Sequence, residues 1–254
     1  MSDTLDCRKS VSVLIPCFNG EETIRRSILS AAHGTVSPDE IIVYDDGSTD
    51  NSLGIALELK RSVPILSVIA GIDNKGAGYA RNVLLKAASG DYFAFLDADD
   101  WWYPRKLQTQ LEEIEKHNLD IVTCHYPIYN EDLRVIGTRK SVSKINWLSM
   151  HFTNWLATSM TIVRADLVGA KEMPDIRRRQ DYAYWLRIFA SNRGLRCGVI
   201  QDPLGGYLKR SSSLSSKKLK NLTANYHMFR SVMNYGVVLS ATCVFLNSLI
   251  RFIR

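Results

Sequence analysis

The stretch Asp91-Tyr92-Phe93-Ala94-Phe95-Leu96-Asp97-Ala98-Asp99-Asp100-Trp101-Trp102-Tyr103-Pro104 organises the rest of the chain. Its aromatic and aliphatic run, residues 92–96, has the length and composition of a buried strand. The run ends in Asp97, Asp99 and Asp100, three carboxylates within four residues. Carboxylates crowded at a strand end repel one another unless something positive sits between them. Two readings fit. A hard divalent cation, Mg²⁺ or Mn²⁺, takes oxygen ligands and shares them with substrate phosphates. A solvated acidic loop opening a helix, with Asp99 or Asp100 as its cap, uses the same residues without a metal.

Outward from this stretch, strands alternate with helices. Residues 11–15 read as a first strand stopped by Pro16, and residues 21–32 as a helix with Ile24, Ile28 and Ala31 on one side. Residues 40–44 form a second strand that runs into Asp45-Asp46-Gly47-Ser48-Thr49-Asp50. Helix is expected over 52–60 and 77–88, and strand over 65–69. This order predicts an α/β fold, a doubly wound and mostly parallel sheet with helices on both faces. Its first hundred residues look like a nucleotide-binding half.

The second half is less regular. It suggests helices over 104–116 and 179–192, the latter with Trp185, Ile188 and Phe189 inward. Strands are expected at 120–125, within 154–163 and at 197–200, with a loop over 131–144. Residues 211–220 are Ser- and Lys-rich and read as a mobile loop, and 221–254 as helical. The expected organisation is a catalytic domain over 1–210, divided near residue 105, and a basic tail over 211–254.

The chain has 254 residues, 46% hydrophobic and 23% charged, which fits one large α/β domain with a full core or one domain plus a small appendage. Five dispersed cysteines without CxxC spacing suggest reduced thiols in a cytosolic setting. Residues 1–10 lack an apolar run, so no secretory signal is expected. The net charge is +6, yet residues 203–254 hold eight Lys or Arg and no acid, leaving −2 elsewhere. That asymmetry points to an anionic partner. Nucleic acid is disfavoured, because no helix-turn-helix, zinc-finger or RNP pattern occurs. Residues 237–246 are strongly apolar but short of the roughly 20 residues of a spanning helix. With Arg251, Phe252 and Arg254 behind them, they suggest docking on a membrane surface, the alternative being ordinary packing on the domain.

In an open parallel sheet, ligands bind outside the carboxyl ends of the strands. Asp45-Asp46 and the Asp97 cluster therefore face one crevice, with Pro16-Cys17-Phe18-Asn19-Gly20 on the same rim. There Phe18 is placed to lie against a base, and Asp45 or Asp46 to accept from a base N–H or a ribose hydroxyl. A turn aromatic and an Asx-turn account for the same residues. Asn74-Lys75-Gly76-Ala77-Gly78-Tyr79-Ala80-Arg81 opens a helix in a way that suits a phosphate. It is not a dinucleotide fingerprint, since Arg81 stands where a third Gly belongs.

Four ordered blocks, Val11 through Asn19, Asp45 through Asp50, Ala80-Arg81-Asn82, and Ala88 through Asp100, resemble the inverting nucleotide-sugar glycosyltransferases of family 2, with the GT-A-type fold. The resemblance is strongest over residues 10–105. It implies that Asp97 and Asp99 form the Asp-x-Asp element that touches the nucleotide ribose and a divalent metal, Mn²⁺ or Mg²⁺, with Asp99 the direct ligand. It implies uracil recognition by Asp46 or Asp45, a rim of Pro16, Phe18 and Asn19 near the base, and Arg81 beside the diphosphate. It makes Asp181, in Arg179-Gln180-Asp181-Tyr182, the general base, with Gln180 departing from the commoner Glu. A helix N-terminal Asp favoured by the dipole is the other account of Asp181.

The implied reaction moves a sugar from a nucleotide sugar, a UDP-sugar, to an acceptor hydroxyl. The implied acceptor is a lipid-linked saccharide of bacterial surface-polysaccharide synthesis, and the implied location is the inner face of the cytoplasmic membrane. The basic segment Lys209 through Lys218 would close over the diphosphate, and Trp101, Trp102 and Trp155 are candidates for a sugar platform. A sugar nucleotidyltransferase, the rival enzyme, would need a Gly-rich, Arg- and Lys-bearing loop after the first strand, which Pro16 to Gly20 does not supply. A non-catalytic sugar-nucleotide binder would tolerate loss of Asp181.

Overall fold

The computed structural model describes residues 9–168, 172–210 and 218–253. Its elements are β1 (Val11–Cys17), α1 (Ile24–Ala32), β2 (Glu40–Asp45), α2 (Ser52–Leu59), β3 (Leu66–Ala70), α3 (Ala77–Ala87), β4 (Tyr92–Phe95), β5 (Trp101–Trp102) and α4 (Lys106–His117). They continue as β6 (Ile121–Tyr129), β7 (Val135–Arg139), α5 (Trp147–Met150), β8 (Ile162–Arg164), α6 (Ala165–Val168), α7 (Gln180–Ser191), β9 (Cys197–Pro203), β10 (Gly205–Leu208), α8 (Lys218–His227) and α9 (Val237–Ile253).

The sheet runs β3-β2-β1-β4-β8-β6-β10-β5, with β7 and β9 also pairing β6. β3, β2, β1 and β4 are mutually parallel, and β8 reverses direction between β4 and β6. The α/β reading therefore holds for a mixed sheet, and the strand order turns back at β1 and β4, where a crevice opens. β1 is buried along its whole length because both its faces are covered. Alternate side chains divide between two cores. Val11, Val13 and Ile15 pack with Ile24 and Ile28 of α1. Leu14 joins Phe93, Phe95 and Trp185 on the other face.

β1 continues through Pro16, where the sequence suggested a stop. Leu14 and Pro16 point to the same edge, and there the pairing with β4 ends at Leu14 and Phe95. The missing N–H of Pro16 thus falls beyond the last rung of that ladder. The loop expected over 131–144 contains β7, which pairs antiparallel with β6 through a tight turn at Asn130–Arg134. β5 and β10, two short strands, were also not legible. Of the mobile loop expected over 211–220, residues 211–217 lie outside the described residues, and α8 begins at Lys218.

The tail helices share a core with the preceding residues. Met228, Phe229 and Cys243 are buried in the cluster that holds Trp185. α9 turns Ser240, Cys243 and Asn247 inward, with the Asn247 amide donating to Tyr182 Oη at 3.2 Å. Val237, Val238, Leu239 and Phe245 face outward, Val238 being 80% exposed. Among the described residues, no helix is long and apolar enough to cross a membrane.

One buried charge adds a testable feature of the core. Lys106 is fully buried on α4, donates to Gln110 Oε1 at 2.6 Å and lies 3.7 Å over the Trp102 ring. Burial pushes its pKa down to about 7. Between pH 7 and about 8.5 the unfolded chain binds this proton more tightly, so Lys106 contributes a rise in stability with pH there. Lys106→Met is expected to flatten that rise, as read by urea unfolding at pH 7 and pH 8.5.

Candidate active site

The carboxyl ends of β1, β2 and β4 open on a cleft of about 900 Å³. Pro16, Phe18, Asn19, Asp46, Arg81, Asp97 and Asp99 all line it. Asp45 and Asp181 stand outside that lining. Phe18 is 45% exposed at the mouth. Asn19 sits at φ 49, and its side-chain oxygen accepts from the Thr49 N–H at 2.9 Å, which joins the first rim loop to the second.

The two acids at the end of β2, Asp45 and Asp46, have separate tasks. Asp46 accepts from the N–H groups of Lys75 and Gly76 at 3.1 and 2.7 Å, so it shapes the loop that begins α3. Gly76 at φ 94 and Gly47 at φ 70 permit this approach; a Cβ on Gly47 would lie 2.8 Å from the Asp73 backbone. Asp45 is buried and accepts from the Ser48 N–H, three residues on, at 2.9 Å.

The Asp97–Asp100 loop is tied to α1. Ser27 Oγ donates to the carbonyls of Ala98 and Asp100 at 2.8 and 2.5 Å, and Arg26 to that of Asp99 at 3.0 Å. The three carboxylates then diverge. Asp97 pairs with Arg81, whose side chain is nearly enclosed. Burial works against the Arg81 charge, but Asp97 and then Asp181 outweigh it and hold its pKa above the usual value. Asp99 faces the cleft, and Arg210 stands 3.9 Å away. Burial first and Asp97 second push Asp99 up to about 6, the mark of an acid short of positive charge.

Asp100 is fully buried and accepts from the Leu208 N–H at 3.0 Å. Burial, then Asp99 and Asp97, push it well above the carboxylate range. It therefore staples β10, and with it Arg210, to the acidic loop and stays out of the cleft. Asp100→Asn preserves an acceptor for Leu208 and is expected to be nearly neutral. Asp100→Ala strands that N–H and is expected to cost about 1–3 kcal/mol in urea unfolding.

Asp97 and Asp99 are two oxygen donors on a rim shaped for an anion. Among the described residues, no group of three or more His, Cys, Asp or Glu forms a cage for a metal. Two carboxylates, one of them under-compensated, fit a cation whose remaining ligands are substrate oxygens and water.

Asp181 lies in the first turn of α7 and accepts from Asn154 Nδ2 at 3.1 Å. Gln180, the residue before it, lines the cleft, and the Asp181 charge is among those that raise the Arg81 pKa. The sugar-platform expectation fails for two tryptophans. Trp102 and Trp155 are buried, and their indole N–H groups donate to the Ser159 and Ser149 carbonyls, each at 2.8 Å. Trp101 lies under Arg26 at 3.9 Å and beside Tyr129. Sequence reasoning missed Tyr207, Thr23 and Asn154. It read Arg210 only as part of a basic run; Arg210 donates to Thr23 Oγ1 at 3.1 Å across the cleft rim.

The model of the family described as Glycosyl transferase family 2 matches residues 12–167. WfgD of Escherichia coli, a UDP-Glc:alpha-D-GlcNAc-diphosphoundecaprenol beta-1,3-glucosyltransferase, is 32% identical over 84% of this chain and 82% of its own length. TuaG of Bacillus subtilis, a putative teichuronic acid biosynthesis glycosyltransferase, is 27% identical over 92% of each chain. Among solved structures, S. aureus TarS in complex with UDP-GlcNAc superimposes with a TM-score of 0.71 at 24% identity, over 92% of this chain and 70% of that one. A mannosyltransferase from Pyrobaculum calidifontis in complex with GDP-Man and Mn²⁺ gives 0.64 at 15% identity, over 96% and 74%.

Proposed function

The chain belongs to glycosyl transferase family 2, and on that premise we propose that it transfers a sugar from a UDP-sugar to a hydroxyl of a lipid-linked saccharide, with inversion at the anomeric carbon. The observation that carries this reading is one cleft with Asp97, Asp99 and Arg81 on one side and Asp181 close behind.

Phe18 and Asp46 would hold the base, Asp97 the ribose, and Arg81 and Arg210 the charge of the diphosphate. Asp99 and Asp97 would hold Mn²⁺ or Mg²⁺, which supplies charge neutralisation at the leaving diphosphate. Asp181 would take the proton from the acceptor hydroxyl as that oxygen bonds to C1 and the C1–O bond to phosphate breaks. Asn154 orients the Asp181 carboxylate for that task.

The lipid-linked acceptor is supported by the diphosphoundecaprenol-linked acceptor of WfgD and by the outward apolar face of α9 in a segment that carries only positive charge. The protein would then act peripherally at the inner face of the cytoplasmic membrane. A thermal-shift screen of nucleotide sugars with and without Mn²⁺ tests the donor assignment. Stabilisation by one UDP-sugar, enhanced by metal, is the expected result. Absence of any shift across the panel would remove the donor assignment.

A further inference from the structure

Asp181 is the second residue of α7, in a first turn whose cap, Arg179, makes no side-chain hydrogen bond to it. The next residue, Tyr182, is buried. Successive helix residues point about 100° apart, so the direction of the Tyr182 side chain sets that of Asp181. The Tyr182 hydroxyl donates to the Met150 carbonyl at 2.6 Å, and the Asn247 amide of α9 donates to that hydroxyl at 3.2 Å. Asn225 of α8 donates in turn to Asn247 Oδ1 at 3.3 Å. Tyr182, Asn225 and Asn247 are each 1% exposed. A buried hydrogen-bonded chain from α9 through Tyr182 to Met150 specifies one arrangement, where apolar side chains would tolerate several.

The same chain reaches the partner of Asp181. Met150 ends α5, and four residues on, Asn154 donates to Asp181 Oδ2 at 3.1 Å. The tail makes a second contact one residue after Met150. His151 Nδ1 donates to the Trp147 carbonyl at 2.8 Å, so Nε2 is the acceptor and takes the Tyr235 hydroxyl at 2.7 Å. The His151 ring lies nearly parallel to the rings of Tyr235 and Phe229, with centroids 5.7 and 6.4 Å away. Burial lowers the His151 pKa, which favours this neutral form. Met150, His151 and Tyr182 do not line the donor cleft.

We propose that Asn247 and Tyr235 are positioning residues for the transfer. Through Tyr182 and His151 they hold the first turn of α7 against residues 150–154, which keeps the Asp181 carboxylate on Asn154 and aimed at the acceptor hydroxyl. This rests on the reading of Asp181 as the base. The tail acts on the acceptor chemistry and leaves the donor site unchanged.

Hydrogen exchange and kinetics of Asn247→Leu, Tyr182→Phe and Tyr235→Phe test the proposal. Exchange over residues 180–186 and 150–156 is expected to quicken about tenfold in the first two variants, and over 150–156 in the third, with β1, β2 and β4 as in the parent. Calorimetry should give parental UDP-sugar affinity in all three. With Mn²⁺, the UDP-sugar selected by thermal shift and undecyl GlcNAc diphosphate as acceptor probe, kcat should fall about tenfold at an unchanged donor KM. Tyr182→Phe combined with Asn247→Leu should lose no more kcat than Tyr182→Phe alone, because the amide acts through the hydroxyl. Parental exchange over 180–186 in Asn247→Leu, or parental kcat despite faster exchange, would overturn the positioning role. So would a loss of donor affinity matching the loss of kcat, the sign of a general loosening of the core. Retained turnover in Asp181→Asn marks failure of the base reading instead, which the exchange measurement does not touch.

Discussion

Asp181→Asn is expected to bind the nucleotide sugar as the parent does and to lose transfer by on the order of 10²–10⁴-fold, the usual worth of a positioned general base. The substitution keeps an oxygen for the Asn154 amide, so the local geometry survives while the proton acceptor is lost. The loss belongs in kcat, because the carboxylate acts on the acceptor hydroxyl as the bond forms. Arg81 should sense the change as well, since Asp181 contributes to its charged state. Donor affinity by calorimetry and turnover with a lipid-linked acceptor check the two halves separately. Turnover within a few-fold of the parent would take Asp181 out of the mechanism.

Asp99→Ala is expected to abolish the gain in UDP-sugar affinity that Mn²⁺ brings, a loss of about 100-fold or more. Asp99 is the acid of the cluster that faces the cleft with its charge least compensated. Asp97 is paired with Arg81, and Asp100 is buried under β10. Asp100→Asn serves as the control, because it removes a carboxylate from the same loop without touching the cleft. Calorimetry of UDP-sugar with and without Mn²⁺ reads the effect. A metal-dependent affinity equal to the parent's would remove Asp99 as a ligand.

The donor half was legible because its signals are local. β1, β2 and β4 are short apolar runs that end in acids, and the topology of a parallel sheet brings such ends together. The identity of Asp46 as the cleft acid of its pair was not legible, since Asp45 and Asp46 are adjacent and only the folded loop shows which one meets Lys75 and Gly76. Asp100 looked like its neighbours in sequence, and its burial depends on β10, 108 residues away. The second half depends on such distant pairings. β7 carries an exposed, weakly apolar pattern, and β5 has two residues, too few for any periodicity.

The central claim is an inverting transfer to a lipid-linked saccharide, and proton NMR of the product tests it most directly. The protein, Mn²⁺, the UDP-sugar selected by thermal shift and a saccharide diphosphate acceptor should yield one new glycosidic bond. An α-linked donor is predicted to give a β-linked product, with UDP released in equal amount. An α-linked product, or UDP release without a new bond, would contradict the account.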